Sequence, residues 1–368
     1  MEVVDLLIPT LFPFLTAALI TFFAIPPLIT LATEKHLHDE PNYRKKHAHT
    51  TPTLGGIAIF AGILISYTFW VDDSDFIFFK YTLISIIILF FIGIKDDIIG
   101  LSVIIKVVTQ IVAALIIIIF ADIRLTNLNG VFGIYEIEYY ASFYLTLIMM
   151  IGITNSFNLL DGVDGLASGI AFIISGILSI WFFYSGFFAY SILGFALAGA
   201  LLGFLKYNFS PARIFMGDTG ALLLGFLISI LIIVFVEINI YKENLIGGHF
   251  PINFDIIAAS PAIAIAMIIV PLFDTIRVMI IRIINKKSPF SPDRSHIHHL
   301  LKDLGMSDVQ VCFILYGYTI LMIGLSFYLQ QLGTLILIGV IILISMLSTI
   351  VAIMLLKGSV KRQHLAEK

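Results

Sequence analysis

The stretch ASFYLTLIMMIGITNSFNLLDGVDGLASGIAFIISGILSIWFFY, residues 141–184, holds two long apolar runs divided by a short polar segment. The runs, 141–158 and 166–184, are each long enough to cross a hydrocarbon core as an α-helix, which takes roughly 17–25 residues. Between them, Asn155, Asn158, Asp161 and Asp164 fall within ten residues, interspersed with Gly162 and Gly165. A hydrophilic turn needs fewer amide and carboxylate groups than this. The pairs 155/158 and 161/164 are each spaced i, i+3 and share a face wherever the backbone stays helical. The two glycines permit turns and a close approach of backbone to ligand. Ionisable groups at a bilayer surface cost desolvation energy unless they bind something, so the segment reads as part of a site.

The same alternation runs through the chain. Eleven apolar runs are present, at about 9–32, 54–71, 77–94, 103–121, 141–158, 166–184, 187–205, 219–236, 256–281, 309–329 and 333–356. With 60% apolar residues and a mean hydropathy of +1.06, a soluble globular protein is excluded. Charged residues are 12%, about half the usual share. The expected fold is all-α: one polytopic integral membrane domain over 1–368 with about eleven transmembrane helices. The first run follows Glu2 and Asp5 instead of a basic region, so it is expected to be a retained helix and not a signal peptide. Cys312 is the single cysteine and lies in an apolar run, which excludes internal disulfides and thiolate clusters.

Basic residues set the orientation. The segments 33–53, 95–102, 159–165, 206–218, 282–308 and the C-terminal tail share one face and carry most of the Lys and Arg; the opposite loops hold Lys80, Arg124 and Lys242. The N-terminus is therefore expected outside, with the C-terminus and every motif in the cytoplasm. The net charge of −3 averages over two unlike faces and says little about partners. Basic residues near the motifs are mixed with membrane-facing sequence, so no nucleic-acid partner is expected.

Each motif has a plain alternative. Asp96 and Asp97 end the third run, where adjacent carboxylates repel unless a cation is near; a solvated helix end beside Lys95 is the alternative, and the helix macrodipole opposes it. In FMGDTG (215–220), Asp218 stands where a helix N-cap belongs. It could instead be a hard-cation ligand, since carboxylate and amide oxygens suit magnesium held together with substrate phosphates. Asn208, Arg213 and Phe215 nearby could serve a planar anionic ligand. In DRSHIHHL (293–300), His296, His298 and His299 do not all share one helix face, which disfavours a three-histidine metal site within that stretch. Together with Arg294 they suit a diphosphate better. His36, His38, His47 and His49 read as surface residues, and Lys45 and Lys46 could meet lipid or ligand phosphate. Asp274 and Arg277 form an i, i+3 pair inside the ninth run, more often structural than catalytic; Pro271 can kink that helix, and Arg282 sits at its boundary within reach of an anion.

In this order and on this topology, NSFNLLDGVDGL, FMGDTG and SPFSPDRSHIHHL resemble the polyprenyl-phosphate N-acetylhexosamine-1-phosphate transferases, over nearly the whole chain from TPTLGG (51–56) to HIHH (296–299). The histidine motif looks like the undecaprenyl-phosphate α-N-acetylglucosaminyl 1-phosphate transferase subgroup. The resemblance implies transfer of N-acetylhexosamine 1-phosphate, most simply N-acetylglucosamine 1-phosphate, from a UDP-sugar to undecaprenyl phosphate with release of UMP. It implies Mg2+ as cofactor, with Mn2+ as a substitute. By position, Asp96, Asp97 and Asp161 match catalytic residues, and Asn158 and Asp218 match metal or diphosphate positions. Asp164, Asn208 and Phe215 match uridine positions, and Arg282, His296, His298 and His299 match the phosphate-recognition set. One departure is Gly100, where some members carry a third acid. Implied partners are the UDP-sugar, the polyprenyl phosphate lipid and the membrane, with a homodimer allowed. The implied location is the bacterial cytoplasmic (inner) membrane, multi-pass, with the active site facing the cytoplasm.

Other classes fit less well. A CDP-alcohol phosphotransferase needs an Ala-Arg after its first Asp-Gly and further spaced aspartates, which DGVDGLASG lacks. A secondary transporter would place its charges near the midplane, and an intramembrane zinc protease needs a motif such as HExxH.

Overall fold

The computed structural model describes residues 7–35, 51–72, 76–241, 257, 259–288 and 295–366. The four loop histidines, Lys45, Lys46, Arg294 and most of the 237–255 loop lie outside those residues. The chain folds as α1 (Leu11–Glu34), α2 (Gly55–Trp70), α3 (Phe76–Ile99), α4 (Val103–Phe120), a hairpin of β1 (Asn127–Val131) and β2 (Ile134–Glu136), then α5 (Tyr139–Leu160), α6 (Leu166–Tyr184), α7 (Phe188–Asn208) and α8 (Gly217–Tyr241). α9 (Ser260–Met267), α10 (Ile269–Ile284), the short α11 (Ile297–Asp303), α12 (Asp308–Tyr328) and α13 (Thr334–Ala366) complete it. Within the described residues, each of the eleven apolar runs is mainly helical.

Among the described residues, eight helices are long and apolar enough to cross a membrane, or nine if the bent pair α9–α10 counts as one span. This is an all-α polytopic membrane protein. Three runs fall outside the eight: α3, which carries Lys95, Asp96 and Asp97 near its end, α2, and the run 256–281. α2 has 16 residues, which at about 1.5 Å per residue falls short of the ~30 Å hydrocarbon core. The run 256–281 is broken by a 76° bend between Met267 and Ile269. Proline explains the place: Pro271 has no N–H for the Met267 carbonyl, and its ring clashes with that carbonyl.

The helices are layered inside out. In the most apolar stretch of α8, 94% of residues are buried, against 17% in α1 and 22% in α13, so α8 is the axis and the others shield it from lipid. α3, α5, α2 and α6 pack directly on α8. Large apolar side chains such as Phe23, Ile104 and Tyr328 face outward, as a lipid solvent allows. Small residues permit the tightest approaches. Gly203 of α7 lies on the Ala18 carbonyl of α1, where a Cβ would come within 2.5 Å, a close crossing that helices in lipid use in place of a hydrophobic driving force.

The two ends of α8 carry different structures. Near its C-terminus, Glu237 accepts bonds from Thr126 N at 2.8 Å and Thr126 Oγ1 at 2.7 Å, pinning the base of the β-hairpin. Its N-terminus at Gly217 lies about 30 Å away by helix rise and carries the acidic motifs.

Candidate active site

Three backbone hydrogen bonds place the start of α8. Gly55 N donates to Phe215 O at 3.0 Å, Gly56 N to Met216 O at 2.9 Å, and Phe215 N to Pro52 O at 2.8 Å. The TPTLGG and FMGDTG motifs are thus one unit. Asp97 then caps α8 from α3. Its Oδ1 accepts from Asp218 N at 2.7 Å, and its Oδ2 accepts from Thr219 N at 3.1 Å and Thr219 Oγ1 at 2.5 Å. Gly217 makes room: its φ is +71°, and a Cβ there would sit 2.6 and 2.7 Å from the Asp97 carboxylate oxygens.

This division of labour bears on one half of the alternative posed for Asp218. The helix-capping task falls to Asp97, and the Asp218 carboxylate is turned elsewhere. Its Oδ1 accepts from Asn158 Nδ2 at 3.1 Å and its Oδ2 from Lys106 Nζ at 2.5 Å. Lys106 also reaches Asp96 Oδ2 at 3.0 Å, while Asp96 Oδ1 accepts from Leu101 N at 2.5 Å. A single ammonium therefore bridges two carboxylates whose mutual repulsion would otherwise be severe. Sequence reading missed Lys106 because it sits in the first turn of an apolar run. An ionisable residue in such a run marks function, and that signal was there to read.

α5 ends at Leu160, so the i, i+3 argument holds for Asn155 and Asn158 and fails for Asp161 and Asp164, which lie in the following loop. Even the first pair divides: Asn155 turns to Gln110 of α4, donating at 2.6 Å, and Asn158 turns to Asp218. The loop is tied down at its far end. Asn208, 2% exposed, accepts from Gly165 N at 2.9 Å and donates to Ile214 O at 3.0 Å, and Asp164 Oδ2 accepts from Ala212 N at 3.0 Å. Gly165, at φ +82°, turns the chain into α6.

These elements surround one cavity of about 360 Å3, lined by Asp96, Asp97, Asn158, Asp161, Asp164, Asn208, Phe215 and Asp218 with Thr53, Gly162, Val163 and Gly217. That is the size of a small-ligand pocket. Eight of the twelve residues singled out from sequence converge there. The other four, Arg282, His296, His298 and His299, are not among its lining residues. His298 comes to the cavity wall: a Cβ at Gly162 would lie 3.1 Å from His298 Nε2. The His296 and His298 rings are parallel, 5.6 Å apart, and His299 lies 4.3 Å from His298. Burial pushes the His298 imidazolium down to about 3, helped by the neighbouring His299 charge, so this ring is neutral near pH 7. Arg282 is buried on the same face of α10 as Asp274 and Val278.

The donor set suits a hard divalent cation. Among the described residues no three His, Cys, Asp or Glu side chains form a ready-made metal cage. Magnesium, however, is usually bound by one or two carboxylates together with substrate phosphates and waters. Asp218 and Asp96, with the Asn158 amide, offer that kind of partial set.

A bundle of apolar helices with an acidic cavity at one end defines a polytopic membrane protein of enzyme character. The family model described as glycosyl transferase family 4 matches residues 79–236. The undecaprenyl-phosphate alpha-N-acetylglucosaminyl 1-phosphate transferase of Escherichia coli (strain K12) is 32% identical over 302 residues, 81% of this chain and 76% of that protein. The probable undecaprenyl-phosphate N-acetylglucosaminyl 1-phosphate transferase of Bacillus subtilis is 33% identical over 303 residues, 81% of this chain and 79% of that one. The Yersinia pestis undecaprenyl-phosphate alpha-N-acetylglucosaminyl 1-phosphate transferase is 32% identical over 279 residues, covering 74% and 72%. The chain belongs to glycosyl transferase family 4.

Proposed function

We propose that this protein transfers N-acetylglucosamine 1-phosphate from UDP-N-acetylglucosamine to undecaprenyl phosphate, forming a lipid-linked sugar diphosphate and UMP. The relatives' names support the reaction class. The observation in the molecule that carries it is the Asp218 carboxylate, released from helix capping by Asp97 and held by Lys106 and Asn158 in the cavity wall.

The chemical problem is one of charge. An oxygen of the lipid phosphate attacks the sugar-bearing β-phosphorus, a new P–O–P bridge forms, and the old bridge breaks with its electron pair leaving on UMP. Three anionic groups must share a small volume, so fixed cations and dipoles carry the catalysis. Lys106 supplies a fixed cation beside Asp96 and Asp218. The N-terminus of α8, held by Asp97, sets the direction of Asp218. Asp218, Asp96 and Asn158 would hold Mg2+, or Mn2+ in its place, and the bound ion would neutralise phosphate charge. A phosphate monoester has its second pKa near ~6 and needs little help from a base at neutral pH. Asp97, whose oxygens are committed to the start of α8, is accordingly a positioning group. Asp161, Asp164 and Phe215 line the part of the cavity assigned to the nucleotide-sugar, and His298 brings the histidine segment to its wall at Gly162; Arg282, His296 and His299 are assigned to phosphate recognition by the resemblance alone.

The site is taken to face the cytoplasm from a bacterial inner membrane, since the basic segments share its face; a homodimer is compatible with this arrangement. Purified protein in detergent with undecaprenyl phosphate, Mg2+ and UDP-N-acetylglucosamine should release UMP and form the lipid diphosphate. Turnover only with another UDP-hexosamine would correct the sugar, and silence with every UDP-sugar would overturn the reading.

A further inference from the structure

Asp274 and Arg277 lie inside α10, and neither lines the cavity. Asp274 is 5% exposed. On one side it borders a small, mainly apolar cavity of about 130 Å3 walled by Phe273, Ile297, Leu301, Leu315 and Tyr318, which offers few groups to compensate its charge. A buried carboxylate has to be compensated by donors, and where those donors come from is informative. Arg277 Nη2 donates to Asp274 Oδ1 at 2.7 Å, which by itself would neutralise the charge. Among the described residues, the remaining bonds of the pair reach one short segment. Ile297 N donates to Asp274 Oδ1 at 2.9 Å, His296 Nδ1 lies 2.8 Å from Asp274 Oδ2, and Arg277 also donates to Ser295 O at 2.5 Å. The pair thus grips residues 295, 296 and 297 in succession, at the entry to α11.

We propose that Asp274 is a positioning residue that fixes the orientation and tautomer of His296 and, through the His296–His298 stack, sets the histidine segment against the Asp161–Gly165 loop. A ring nitrogen 2.8 Å from a carboxylate oxygen carries its hydrogen, so Nδ1 is the donor and Nε2 is the nitrogen left to meet a ligand. The His298 ring, parallel to that of His296, ends at Gly162 on the cavity wall. His298 itself is 2% exposed, and among the described residues its Nδ1 has no hydrogen-bond partner. Such a ring is placed by its neighbours, and the chain of placement leads back to Asp274. The backbone bond to Ile297 N supplies what the side chain of His296, the N-cap of α11, does not: His296 makes no capping bond. An ion pair serving only α10 would need neither Ile297 nor His296.

The functional part of this inference rests on the transferase reading; the tether itself does not. Amide hydrogen exchange in residues 296–303 is measured in detergent for wild type, Asp274→Asn and Asp274→Glu, with UMP release measured in parallel. Asp274→Asn should raise exchange at Ile297 and the first turn of α11 at least tenfold and lower turnover at least thirtyfold. Asp274→Glu should recover part of both. Combined with His296→Ala, Asp274→Asn should add less than threefold to the loss, as expected of two residues acting as a unit. If Asp274→Asn alone fails to fold, the pair Asp274→Asn with Arg277→Gln removes the orphaned charge and tests the same tether. Unchanged exchange at 296–303, wild-type turnover in His296→Ala, or losses that simply multiply would each overturn the proposal. A wild-type protein silent toward all UDP-sugars would overturn the transferase reading alone, because the exchange experiment needs no substrate.

Discussion

At the scale of single residues, Asp96, Asp97 and Asp218 show how like groups take unlike tasks. Asp97 accepts three bonds from the start of α8, Asp96 holds Lys106, and Asp218 keeps an oxygen on Asn158 and another on Lys106. Asp218→Asn preserves shape and removes charge. Because Asp97 does the capping, the variant should stay folded and monodisperse while turnover drops by at least a hundredfold; a folded variant with near wild-type turnover would restore the plain capping role. Lys106→Met makes a sharper test. Removing an ammonium beside two carboxylates takes away a repulsion of several kcal/mol at most toward an incoming dication. The half-saturating Mg2+ concentration should therefore fall, while turnover falls too because the phosphates lose a fixed cation. A Lys106→Met enzyme with a higher Mg2+ requirement would refute this electrostatic account. Among the histidines, His298 is held neutral by burial. His298→Asn should therefore leave the position of any alkaline loss of activity in a pH–rate profile unchanged, and a shifted position would show that this ring titrates there.

At the scale of elements, the apolar runs were legible because a membrane helix must bury every backbone bond internally and show apolar side chains to lipid. The run from 141 to 158 and that from 166 to 184 became α5 and α6 nearly as read. What was not legible depends on long-range pairing. Asp97 and Thr219 are distant in sequence, and nothing in either motif alone says that one caps the other. Asn208 and Asp164 read as ligand groups, and the structure shows each also tying the Asp161–Gly165 loop to the 212–214 segment. Lys106 was hidden by its apolar context, and the β-hairpin by a stretch too short and polar to resemble a strand pair. The hairpin is useful in return. It is fixed to the end of α8 opposite Asp218, so labelling should separate the two. A cysteine placed at exposed Phe132, in a chain with Cys312→Ser, should react with a membrane-impermeant maleimide added outside intact cells, and a reporter fused after Lys361 should be active only inside. Labelling of position 132 from the cytoplasmic side alone would invert the orientation argued from the basic residues.

At the scale of the whole molecule, the arrangement answers a geometric demand. A lipid phosphate arrives in the plane of the membrane, and a nucleotide-sugar arrives from water. A cavity at the ends of the helices, walled by α3, α5 and α8 with their connecting loops, is where both can meet. The thermodynamics then makes a prediction that a hydrolase or a transporter would not share. One phosphoanhydride is broken and one is made, so the free energy of the step is small and the equilibrium constant lies near unity. Radiolabelled UMP added to enzyme, Mg2+ and the lipid-linked sugar diphosphate should therefore be incorporated into UDP-N-acetylglucosamine at a rate comparable with the forward reaction. EDTA should stop both directions together, because a cation that Asp218, Asp96 and phosphate oxygens would hold serves the same set of charges whichever way the bridge is formed. Exchange of labelled UMP into UDP-N-acetylglucosamine in the complete absence of lipid would show instead that a carboxylate, Asp161 or Asp97, carries the sugar phosphate covalently. Trapping that adduct on Asp161 would replace direct attack by two successive displacements while leaving the substrates and the site as they are.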